Sequence, residues 1–127
     1  MTENEIAREV VDAALQVHRE LGPGLLESVY ETVLAWELDR RGFRCSRQQP
    51  VPISFRGVRI EAGFRADLMV EDRVIVEIKS VASVAPVHKK QLLTYLRLGD
   101  KRLGLLINFN VCLIREGICR VVNGLED

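Results

Sequence analysis

Cysteine is scarce in this chain, and what there is has no framework. Cys45, Cys112 and Cys119 are an odd number without C-x-x-C spacing, which argues against a disulfide scaffold and a cysteine zinc site. No convincing base lies near any of them in sequence, so they read as small hydrophobes of a reducing cytoplasm. Long apolar runs are absent as well. Nothing approaches the roughly 18 residues of a membrane span, and the polar, acidic N-terminus is unlike a signal peptide. A cytoplasmic protein with no membrane partner is expected. Net charge is also missing, with 18 basic residues against 18 acidic ones. A surface for phosphates must then come from the placement of charge rather than its sum.

Linkers, repeats and low-complexity segments are lacking too, so residues 1–127 form one expected domain. A content of 47% hydrophobic and 28% charged residues is that of a globular protein large enough to bury a core without structural metals. Thr2 and Glu5 have capping-box spacing, and Ile6, Val10, Ala14, Val17 and Leu21 follow at helical period until Gly22-Pro23-Gly24. A second helix is predicted from about Leu25 to Arg41, with Gly42 just beyond its end. Strands are expected at Val51–Phe55, from Val58 on to about Val70, and at Val74–Ser80. Pro86 opens a third helix that Gly99 ends, and the all-apolar Leu103–Phe109 suits a strand covered on both faces. A hairpin of Val111–Ile114 and Ile118–Val122 completes an α/β (α+β) order ααβββαβββ.

The charges are unevenly spread. Thr2 to Asp39 carries nine acids against Arg8 and Arg19, whereas Arg40 to Ile60 carries six arginines and no acid. A later segment holds Lys89, Lys90, Arg97, Lys101 and Arg102 with only Asp100 opposing. Either basic segment could face phosphates, or be solvated surface.

The stretch FRADLMVEDRVIVEIKS, Phe64 to Ser80, places Asp67, Glu77 and Lys79 among strand residues. Buried charges cost several kcal/mol unless paired or bound to metal. Alternation puts Glu77 and Lys79 on one face of their strand with Ile75, and Val74, Val76 and Ile78 on the other. Register decides where Asp67 lies. A two-residue turn would set it opposite Val76; a three-residue connection, Glu71-Asp72-Arg73, would set it opposite Glu77, with Cβ atoms roughly 5 Å apart. Two such carboxylates repel, and a divalent cation between them removes the conflict. Hard oxygen donors suit Mg²⁺ or Mn²⁺. Lys79 then lies beside the metal, able to position a water or stabilise charge on a phosphate.

Asp67 followed ten residues later by Glu77-Ile78-Lys79 resembles the PD-(D/E)xK nuclease superfamily, with Ala66 in place of the proline, which carries no chemistry. Gln91-Leu92-Leu93-Thr94-Tyr95 looks like the Q-x-x-x-Y motif of its exonuclease-like branch. Gly24-Leu25-Leu26-Glu27-Ser28-Val29-Tyr30 matches the signature of the GxxExxY proteins, a family placed in that superfamily. The resemblance covers nearly the whole chain. It implies a PD-(D/E)xK nuclease-like mixed sheet flanked by helices and a site cleaving phosphodiesters with Mg²⁺ or Mn²⁺. It also implies Asp67, Glu77, the Ile78 carbonyl and Glu27 as metal ligands, Lys79 in catalysis, and Gln91, Tyr95 and Tyr30 in support. The alternative for Glu27 is an exposed first-turn acid favoured by the helix dipole. His88 extends the Gln91–Tyr95 face and reads as a surface or capping histidine; His18 has no motif around it. Asp67, Glu77 and Lys79 could instead form a structural ion-pair network with Arg65. A metal-dependent nuclease acting on DNA or RNA is therefore expected, the alternative being a catalytically silent nucleic-acid-binding or protein-interaction module. A homodimer is left open.

Overall fold

The computed structural model describes residues 1–125. Its elements are α1 (Glu3–Leu21), α2 (Glu27–Arg40), β1 (Cys45–Phe55), β2 (Val58–Val70), β3 (Val74–Lys79), α3 (Pro86–Leu98), β4 (Leu103–Asn108) and β5 (Ile118–Val122). The capping box forms as the spacing predicts, with the Thr2 hydroxyl accepting from Glu5 N–H and the Glu5 carboxylate from Thr2 N–H.

The strands lie in the order β1-β2-β3-β4-β5, and only β3 and β4 run parallel. The crossover through α3 makes that parallel pair possible. Leu68, Val70, Val74, Val76, Leu103, Leu105 and Ile107 pack beneath α1 and α2; Met69, Ile75 and Leu106 pack beneath α3. The central strands are thus covered on both faces, as the unbroken apolar run of β4 predicts.

Two elements differ from the sequence reading. The expected strand Val111–Ile114 is absent: Ile114–Gly117 forms a single 3-10 turn, and β5 pairs directly with β4. Gly117 explains the tight return, since a Cβ there would run into the carbonyl of Asn108. The order agrees with ααβββαβββ except at this last hairpin, leaving five strands among the described residues. Secondly, β1 starts at Cys45 rather than Val51. Its first half, Ser46-Arg47-Gln48-Gln49, is polar because it lies at the sheet edge, where prolines such as Pro50 are also tolerated.

The arginine-rich segment is largely neutralised from within. Arg40 pairs with Glu37, Arg41 with Asp12, Glu9 and Glu37, Arg44 with Glu71, Arg47 with Glu31, and Arg59 with Glu61. Four of those acids, Glu9, Asp12, Glu31 and Glu37, come from the acidic first third of the chain. Arg56 lies over the Phe55 ring. The two oppositely charged sequence blocks therefore meet in the fold.

Candidate active site

The connection between β2 and β3 is the three-residue one. Val70 pairs with Val74 and Leu68 with Val76, while Glu71 and Asp72 take left-handed backbone at φ 54° and 55°. That register sets Asp67 opposite Glu77 just past the last ladder pair. Here the Asp67 side chain replaces the missing backbone partner: its Oδ2 accepts the Ile78 N–H at 2.8 Å. The Asp67 N–H in turn points to Glu77 Oε1 at 3.5 Å, the outer limit of a hydrogen bond.

The alternation of β2 slips at this point. Ala66 and Met69 both pack on the α3 side although they are three residues apart, while Leu68 packs on the other side. The β1–β2 ladder pairs Arg47 with Leu68 and Gln49 with Ala66, stepping over Gln48 and Asp67. Asp67 is thereby freed from regular sheet and aimed at the end of β3.

Glu77 carries the electrostatic consequence. Burial pushes its carboxyl up to about 9, and the neighbouring charge of Asp67 and a hydrogen bond between the two carboxyls push in the same direction. The Lys79 ammonium opposes the shift. Among the described residues, neither acid forms an ion pair with Arg65 or Lys79; Arg65 instead donates to the Gln48 carbonyl at 3.4 Å. The alternative of a neutralised structural network is therefore not what forms.

Tyr95 faces the same acids. Burial raises its phenol pKa, the charges of Glu77 and Asp67 raise it further, and a hydrogen bond with Gln91 opposes them. Its ring stacks on Phe64 at 4.0 Å between centroids. Gln91 and Tyr95 thus stand together beside the site. His88 caps α3, its Nδ1 accepting Ala85 N–H at 3.2 Å.

The Gly24–Tyr30 signature acts at the exit of β3. The Glu27 carboxylate accepts the Ser80 N–H at 3.2 Å, and the Leu25 carbonyl accepts from Ser80 Oγ at 2.6 Å. Tyr30 is fully buried against Phe109, donating its hydroxyl to the Gly22 carbonyl at 2.6 Å and accepting Leu25 N–H at 3.1 Å. Tyr30 thus fixes the α1–α2 loop, and that loop holds the residue after Lys79. Asn108 holds the next one, bonding both N–H and carbonyl of Val81. Glu27 is exposed and bound to backbone, and among the described residues no three acids, histidines or cysteines converge to hold a metal. The pair Asp67–Glu77 still fits a hard cation, being two adjacent carboxylates of which one is driven to protonation without it.

Sequence reading missed Gln48, Glu31, Ser80 and Asn108 as participants. Gln48 lies in a polar edge strand with no motif, and only the fold brings Glu31 within reach of it.

The family model of the PD-(D/E)XK nuclease superfamily matches residues 4–121, and the chain belongs to that superfamily. No curated protein and no solved structure matches it. No described helix is long and apolar enough to cross a membrane.

Proposed function

We propose that this chain is a Mg²⁺- or Mn²⁺-dependent nuclease hydrolysing phosphodiester bonds of DNA or RNA. The observation that carries the reading is the placement of Asp67 against Glu77 in a register that leaves two half-buried carboxyls in conflict. Such a conflict is costly to keep unless a cation resolves it. Asp67, Glu77 and the Ile78 carbonyl would hold that cation, with Glu27 reaching it through water. Bound there, it supplies Lewis-acid stabilisation of charge developing on a phosphate. Lys79, half-buried on the same face as Glu77, orients the attacking water or neutralises the phosphate oxygens. Gln91 and Tyr95 brace the acids from α3. A shallow cleft of about 610 Å³ between Gly24–Ser28, Ser80 and Asn110 offers room for the strand beyond the scissile bond. The Gly24–Tyr30 signature supports placement in the GxxExxY family.

One observation favours the second reading, a catalytically silent binding module. Five of the six arginines from Arg40 to Arg59 are already paired with acids. The test is cleavage of mixed DNA and RNA with Mg²⁺ or Mn²⁺ beside a Lys79→Ala control. The nuclease reading expects metal-dependent cleavage that falls by about 10²–10⁴ in Lys79→Ala. Nucleic-acid binding without cleavage under either metal leaves the silent module.

A further inference from the structure

Gln48 has an unusual position. It is a non-glycine residue in left-handed backbone, φ 52°, at the point where the β1–β2 ladder steps over itself. That conformation turns its side chain between two acids. Its Nε2 donates to Glu31 Oε1 at 2.6 Å and to Asp67 Oδ1 at 3.1 Å. The amide orientation is settled by chemistry, because both neighbours are acceptors and only the nitrogen carries protons. Glu31 is itself fixed. It is 8% exposed, and its Oε2 accepts two hydrogen bonds from Arg47 at 3.0 and 3.1 Å. The Arg65 guanidinium holds the Gln48 carbonyl.

Asp67 is thus gripped at both oxygens, Oδ1 by Gln48 and Oδ2 by Ile78 N–H. Each oxygen retains a lone pair for a further ligand. α2 braces the site twice, through Glu27 at the exit of β3 and, one turn later, through Glu31 and Gln48 at Asp67. We propose that Gln48, anchored by the buried Glu31, is a positioning residue that fixes the Asp67 carboxylate for metal binding. The proposal rests on the reading of Asp67 as a ligand. Partners that orient a ligand in this way typically change metal affinity about 10–100-fold when removed.

The test is Mn²⁺ titration calorimetry on the full chain for wild type, Asp67→Asn, Gln48→Gly and Gln48→Asn, with metal-free thermal melts. Glycine suits the left-handed backbone and offsets part of the loss of the hydrogen bond to Glu31, so Gln48→Gly should still melt cooperatively as a folded protein while binding Mn²⁺ about 10–100-fold more weakly. Asparagine tolerates the same backbone but is one methylene too short to span both carboxylates, and should show the same loss. Cleavage by either variant should return when Mn²⁺ is raised in proportion, which a disordered fold would not allow. Wild-type binding with an unchanged Mn²⁺ affinity in a folded Gln48 variant overturns the proposal alone. No Mn²⁺ binding by wild type overturns it together with the nuclease reading.

Discussion

Asp67 reaches past the end of the β2–β3 ladder to hold the Ile78 N–H at 2.8 Å, and in doing so lays its carboxyl against that of Glu77. One contact thus joins strand geometry to the chemistry of the site.

Its first consequence is a pH dependence of the metal-free protein. Glu77 is raised from 4.5 to about 9, chiefly by burial. The folded state therefore binds a proton that the unfolded state has released between those values. Stability is highest below about pH 4.5 as far as this group is concerned, and falls as pH rises towards 9. The slope is at most about 1.4 kcal/mol per pH unit. Urea melts in EDTA should show this decline, and Glu77→Gln should flatten it while melting at or above wild type at pH 8.

Metal should act in the opposite sense. A cation competes with the Glu77 proton, so Mn²⁺ affinity should rise from pH 6 to pH 9. At a hundredfold excess over Kd the wild type should gain about 2.7 kcal/mol. Asp67→Asn and Glu77→Gln should lose that gain, whereas Lys79→Ala should keep it, or strengthen it, while its cleavage falls by about 10²–10⁴. A wild-type melt that millimolar Mg²⁺ and Mn²⁺ leave unmoved would end the nuclease reading.

Tyr30→Phe keeps the ring stack on Phe109 but removes the hydroxyl shared by Gly22 and Leu25. A loss of about 1–3 kcal/mol is expected from the unpaired groups. Because the same loop holds Ser80, cleavage should fall by more than the melt predicts; an equal fall in both would reduce Tyr30 to a core residue.

What the sequence disclosed was whatever its local chemistry controls. The Thr2 cap, the Gly22-Pro23-Gly24 stop and the alternation of β3 were legible, and the repulsion of Asp67 and Glu77 could be framed as a choice between two registers. Tertiary matters were not. Nothing in Ser46–Gln49 announces an edge strand, since its polarity reflects solvent rather than a core. The Val111–Ile114 segment has the composition of a strand, yet Gly117 folds the chain back onto Asn108 too closely for a hairpin. The pairing of Glu31 with Arg47 and Gln48 spans 16 and 17 residues and follows no periodicity.

The paired arginines also change what salt should do. Among the described residues, Lys89, Lys90, Arg97 and Arg102 stand in no ion pair, unlike Arg40, Arg41, Arg44 and Arg47. Nucleic-acid binding by Lys79→Ala should show a log–log salt slope of roughly −2 to −4, and Lys90→Ala should shrink it by about one. A flat dependence measured by anisotropy would favour the protein-interaction module.

The exit of β3 has a further consequence for the way the molecule breathes. The amides of Ile78, Ser80 and Val81 donate not to sheet carbonyls but to side chains of Asp67, Glu27 and Asn108, which belong to β2, α2 and β4. Their hydrogen exchange is then gated by the undocking of those elements rather than by fraying of a strand end. These three protons time how long the molecule keeps its working end assembled.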